Sequence, residues 1–145
     1  MREAFLSRPY KEYRSFIPIP PAKKNENDTE CYEDIFLCHA KLYVFAEKWL
    51  IPKLKILALE NLHETLKNFE LYPSRTGDVV ALLRHVYEHT SSPLFQGLEP
   101  MRKLLTEYIG FEMDTLIKDR DFQILMIDDG GDLLGDFMSM VLKRI

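Results

Sequence analysis

A chain of 145 residues is one domain's worth and can bury about two-thirds of the surface its unfolded form exposes, so a real core is within reach. With 46% hydrophobic and 29% charged residues it falls in neither the disordered nor the membrane class. A formal net charge of −4 argues against the basic footprint of an autonomous nucleic-acid binder.

Residues 1 to 30 read as a loosely ordered arm and linker. Tyr10, Tyr13, Phe16, Ile17 and Ile19 are apolar enough to dock, but Pro9, Pro18, Pro20 and Pro21 interrupt any long helix. Phe16 to Pro21 has a polyproline-type ligand as its functional alternative; a plain linker is the reading adopted. Ala22 to Glu30 is polar and turn-prone. The opening Met1 to Pro9 has too short an apolar run for a signal peptide, and no stretch approaches the length of a spanning helix. An intracellular location, cytoplasmic or nuclear, is the expectation.

Residues 31–70 hold two apolar helical runs separated by Leu50-Ile51-Pro52. In the first, Ile35, Cys38, Leu42, Phe45 and Trp49 recur at helical spacing. A second set, Phe36, Ala40, Tyr43 and Ala46, lies round the cylinder. The apolar surface is thus wider than the roughly 100° stripe of an ordinary surface helix, and this helix should be central. Pro52 suits the first position of the next helix, where its missing N–H is no loss. Leu54, Leu57, Ala58, Leu62 and Leu66 form the expected inward face, and Lys53, Glu60, Glu64 and Lys67 the polar one. So short a connection requires an antiparallel pair.

After a turn around Pro73, Ser74 and Gly77, a helix is expected from about Asp78 to Thr90, with Val79, Leu82, Leu83, Val86 and Thr90 on one face. Ser91 to Gly97 is a loop. A longer helix, from about Glu99 to Ile117 with Pro100 at its start, packs through Leu104, Leu105, Tyr108, Phe111, Thr115 and Leu116. Lys118 to Asp121 caps a short helix, Phe122 to Ile127. The last helix, from about Asp132, places Leu134, Phe137, Met138, Val141 and Ile145 at three-four spacing. Strand signals and regular repeats are lacking. The expected fold is all-α: an antiparallel helical pair followed by about four further helices in an irregular bundle, with residues 71–145 packed on the pair.

The sequence carries no recognisable catalytic, cofactor-binding or metal-binding set, and no cofactor is expected. His85 and His89 have the spacing that lets two imidazoles share a metal, but Val86 stands where a zincin motif has Glu, and surface histidines are the preferred reading. Cys31 and Cys38 are too few for a disulfide framework; on one helix they would stand about 10 Å apart, beyond disulfide reach. They are read as reduced, Cys38 as a small core residue. Asp128 to Asp132 is acidic like a calcium loop, yet Gly130 and Ser139 fall where ligands are required, so a helix stop followed by an N-cap is preferred. Met101, Met113, Met126, Met138 and Met140 read as core filler rather than an adaptable groove.

One resemblance stands beside this reading. The string His39-Ala-Lys-Leu-Tyr-Val-Phe-Ala-Glu-Lys-Trp49, with Leu50 to Ala58 and Leu62, resembles the C-terminal helical pair of a BTB (POZ) domain of the filamentous-fungal type. Asp78 to Thr90, Met101 to Thr115 and Lys118 to Phe122 are similar to the helices that follow in those proteins. The strand-rich N-terminal half of that domain has no counterpart in residues 1 to 30. The resemblance implies a non-enzymatic protein–protein interaction module that self-associates and serves as an adaptor of a cullin-type ubiquitin ligase. Protein partners are expected, and neither nucleic acid nor membrane. The alternatives are a truncated remnant without adaptor activity and a small metal-dependent hydrolase built from dispersed His, Asp and Glu.

Overall fold

The computed structural model describes residues 5, 6, 24–91, 99–128 and 132–144. Among them are seven α-helices and no strand: α1 (Glu33–Lys48), α2 (Pro52–Asn68), α3 (Thr76–His89), α4 (Pro100–Phe111), α5 (Met113–Leu116), α6 (Arg120–Asp128) and α7 (Asp132–Arg144). The all-α expectation holds, with the pair α1–α2 as the largest packed unit and α3 lying against α1. No helix is long and apolar enough to cross a membrane among the described residues.

The hairpin closes at both ends. At its tip, Ile51 N–H donates to the Ala46 carbonyl at 2.9 Å and Leu50 N–H to that of Glu47 at 3.4 Å. These are the two bonds of a Schellman stop, which places its central residue in the left-handed region. That residue is Leu50, with φ 55°, where glycine is the usual occupant. At the open end Tyr32 stacks on Phe69 with centroids 5.0 Å apart, and Phe36 meets Phe69 edge-on at 5.1 Å. The start of α1 therefore lies beside the end of α2, as an antiparallel pair requires.

The buried side of α1 is Phe36, Ala40, Tyr43 and Ala46. Two alanines on that side let α1 approach its neighbours closely, and Phe36 and Tyr43 fill the space between. The other run, Ile35, Cys38, Leu42, Phe45 and Trp49, stays exposed. Only one of the two expected apolar faces is covered, so α1 is not the central helix that its wide apolar surface suggested, and Cys38 is not a core residue. Both cysteines are free and exposed, with Cys31 ahead of the helix.

The α1 N-terminus is held from a distance. Tyr32, its capping residue, makes no side-chain cap; the buried Asp78 carboxylate of α3 accepts Tyr32 N–H at 2.9 Å and lies 3.5 Å from Cys31 Sγ. One carboxylate thus complements the positive ends of two helices. α3 begins earlier than the sequence suggested, at Thr76 after a 3-10 turn over Pro73–Arg75, so Gly77 lies within the helix. Its expected face, Val79, Leu82, Leu83 and Val86, is buried, with Thr90 beyond the last turn.

In α2 the inward residues are Ala58, Leu59, Leu62, His63, Thr65 and Leu66, and Glu60, expected on the polar side, is also buried. Phe5 explains part of this shift, because it is fully buried and packs edge-on against His63 at 5.1 Å and against Tyr108 and Phe111 at 5.5 and 5.1 Å. Asn25 is buried too: its amide donates to the Glu70 carbonyl at 2.8 Å and its oxygen accepts Glu70 N–H at 2.6 Å. The chain before α1 is tied to the bundle at these two places and again through the Glu26 carbonyl and the Asp28 carboxylate, which accept from the Tyr72 and Ser74 hydroxyls.

The expected helix from Glu99 to Ile117 is interrupted at Glu112, leaving α4 and the short α5. Pro100 does stand at the start of α4, where the Glu99 carboxylate accepts Arg102 N–H at 3.0 Å. Leu133 and Met140 form the buried side of α7, with Phe137 packed partly beneath, while Leu134 and Met138 are exposed. That helix is rolled relative to the expected face. Met101 and Met140 are buried and Met113 and Met126 packed at the core edge, so four of the five methionines read as core filler do fill space.

Candidate functional site: an exposed apolar stripe and a buried arginine

The inward side of α7 faces Arg102, which is 1% exposed although it carries a charge. Its Nε donates to Thr90 Oγ1 at 2.8 Å and one Nη2 hydrogen to the Thr90 carbonyl at 2.7 Å. Nη1 stands 3.8 and 3.9 Å from the carboxylates of Asp132 and Asp136, one turn apart on α7. The guanidinium lies 4.3 Å over the Tyr87 ring, whose hydroxyl donates to Asp136 at 2.7 Å. Burial first, then the bond to Asp136, pushes the Tyr87 hydroxyl far up from its ordinary range, so it stays a donor. A buried cation needs paired anions, and the orientation of α7 that brings Asp136 inward to it is the one that leaves Leu134 and Met138 exposed. The group joins α3, α4 and α7 into one block, with Nη1 held by charge alone and no hydrogen-bond partner among the described residues. Its signal in the sequence is a lone arginine among Met101, Leu104 and Leu105, together with aspartates at i and i+4 on an apolar helix.

The groups with catalytic potential are similarly engaged. A cleft of about 680 Å³ is lined by Tyr43, Glu47, Lys55, His89, Thr90 and Glu99 among others. Within it Tyr43 donates to Glu99, the cap of α4, and Lys55 pairs with Glu47. The Tyr43 hydroxyl is driven far above its ordinary range by burial and then by the Glu99 charge, which opposes a base role at neutral pH.

His85 and His89 stack with centroids 4.2 Å apart and planes 26° apart, and His89 Nδ1 is hydrogen-bonded to the His85 carbonyl at 2.8 Å. Stacked rings present faces to each other, whereas shared metal ligation needs converging nitrogens. Cys31, Glu33 and Asp78 bring three ligand-type atoms within 4.8 Å of one another, but both Asp78 oxygens already receive hydrogens from Tyr32 and Cys31. Of the suspected calcium-type loop, Asp129 to Gly131 lie outside the described residues, as does the proline-rich run Phe16 to Pro21.

Among the described residues a continuous apolar stripe is also left uncovered. Along α1, Ile35 is 42% exposed, Leu42 40%, Phe45 49% and Trp49 61%, and Leu50 at the hairpin tip reaches 84%. Cys38 lies among them, and Asp34, Leu37 and Lys41 line the shallow groove beside Leu42 and Phe45. Lys48 lies 5.9 Å over the Trp49 ring at one end of the stripe, and Glu33 and Asp34 occupy the first turn at the other. The sequence named these residues as one of two apolar faces; which face would be free was decided by packing. No family model, no curated protein and no solved structure matches this chain.

Proposed function

We propose that this chain is a non-enzymatic docking module that self-associates and binds other proteins through the free face of its helical hairpin. The observation that carries the reading is the exposed stripe from Ile35 to Leu50, which ends in a leucine held at φ 55°. Backbone strain beneath an exposed apolar side chain opposes stability, and a contact made by that side chain supplies a reason to keep it. Contiguous apolar patches of several hundred Å² mark interaction surfaces on soluble proteins. The polar clusters, by contrast, are occupied in holding helix ends and the α3–α4–α7 block together.

The BTB resemblance supplies the class of partner, a cullin-type ligase scaffold, and calorimetric titration with a purified cullin N-terminal region tests that adaptor role directly. The docking face itself is tested with an environment-sensitive apolar dye added to the chain at about 1 µM, where weak dimers dissociate. Fluorescence enhancement that falls several-fold in Phe45→Ser and Trp49→Ser is the expected result. Absence of enhancement in the unaltered chain, or enhancement indifferent to both substitutions, rejects the reading.

A further inference from the structure

We infer that the occupant of the α1 stripe is a second copy of this chain, whose α1 lies antiparallel to the first across a two-fold axis; the inference rests on the docking reading above. Ile35, Cys38, Leu42, Phe45 and Trp49 follow one another at intervals of three and four, the repeat that keeps a seam facing one partner helix. In an antiparallel pair the two kinds of seam position meet, so Ile35 faces Phe45 of the partner subunit and Cys38 faces Leu42 of the partner subunit. These layers place bulky beside smaller side chains and repeat identically on both sides of the axis, as an isologous contact demands.

Charge selects the direction. The first turn of α1 carries Glu33 and Asp34 and its last turn Lys48. Antiparallel packing sets Asp34 beside Lys48 of the partner subunit, twice, and opposes the helix dipoles favourably. Parallel packing would gather four carboxylates at one end. Lys41 meets its own symmetry mate near the axis, which weakens the pair and limits its affinity. Area argues for the same strength. An aromatic ring buries about 150–250 Å² in full, so Phe45 and Trp49 with Ile35, Leu42, Leu50 and Ile51 offer on the order of 500 Å² per chain. Two copies then bury on the order of 1,000 Å², just below the range of stable specific interfaces, which describes a concentration-dependent dimer.

Sedimentation equilibrium of the full chain from about 1 to about 300 µM tests the pairing. The expected mass rises from 17.1 kDa toward twice that value. Phe45→Glu and Leu42→Glu, both at exposed positions, abolish the rise while leaving the helical circular dichroism unchanged. Asp34→Lys alone weakens association about tenfold, and adding Lys48→Asp restores it to within about threefold, because each pair is then complementary again. Lys41→Gln tightens it.

A chain that stays monomeric to the highest concentration while still binding dye at the stripe overturns the second-copy assignment and the self-association proposed above, and leaves standing only the docking of other proteins on this face. A dimer undiminished by Phe45→Glu overturns the surface, and failure of Lys48→Asp to rescue Asp34→Lys overturns the antiparallel register.

Discussion

Replacing Leu50 by glycine separates stability from association in a single residue. Leu50 sits at φ 55° and is 84% exposed, so its side chain contributes little to the fold and its backbone stands where a Cβ is disfavoured. An L-residue in the left-handed region costs about 1–2 kcal/mol, and glycine escapes this. Against the relief stands the greater freedom of glycine in the unfolded chain, about 0.5–1 kcal/mol. The small buried fraction of the leucine adds about 0.3 kcal/mol, a sixth of what full burial is worth. Leu50→Gly is therefore more stable by about 0.5 kcal/mol. Leu50→Ala keeps the strained φ and loses the contact, so it is less stable by about 0.3 kcal/mol. Urea unfolding of all three chains under identical conditions resolves the gap of roughly 0.8 kcal/mol between the two variants. Sedimentation of the same samples shows both variants associating more weakly, since each loses the exposed leucine. A glycine variant no more stable than the alanine one would falsify the strain argument.

Asp136→Ala strands the buried Arg102 with only Asp132, whose side chain is 63% exposed, and removes the acceptor of the Tyr87 hydroxyl. A loss of about 2–3 kcal/mol in urea unfolding is expected, and one below about 0.5 kcal/mol refutes the idea that this pair holds α7. Tyr108→Phe is expected to be neutral or stabilising by up to about 1 kcal/mol, because the Tyr108 hydroxyl is buried with no hydrogen-bond partner among the described residues. A clear loss of thermal stability in that variant would reveal a partner for the hydroxyl.

The pH dependence follows from His39, lowered from its ordinary 6.5 by burial, and His85, lowered by burial and then by the nearby His89 charge. In both cases the folded chain favours the neutral ring, so the unfolded state binds more protons at mildly acidic pH. Their contribution to stability is full above about pH 6.5 and is lost as pH falls from there through the folded values. The double variant His39→Gln with His85→Gln should show a flatter melting temperature between neutral and mildly acidic pH than the unaltered chain. An equally steep profile assigns the acid limb to other groups.

The helices and their order were legible because local signals are strong where they lie. Pro52 and Pro100 mark helix starts, the three-four spacings mark helix faces, and the connection through Leu50 and Ile51 leaves room only for a hairpin. The choice between faces was not legible, because two apolar stripes on one helix are equivalent to any periodicity measure. On α1 the stripe with Ala40 and Ala46 went inside, since small residues allow helices to come close, and the bulkier stripe was left out. On α7 the inward side is the one that brings Asp136 to Arg102, a residue three helices back in the chain.

By itself the sequence determined an all-α chain, an antiparallel hairpin within it, and an absence of recognisable catalytic motifs, all of which follow from propensities and spacings within a few turns. Only the tertiary structure decided that Phe45 and Trp49 face outward, that Arg102 is buried between α3, α4 and α7, and that Leu50 bears a left-handed backbone. The reason is physical: which stripe is buried depends on the shape and charge of partners distant in the chain, and the free energy of those contacts is not written in any local window.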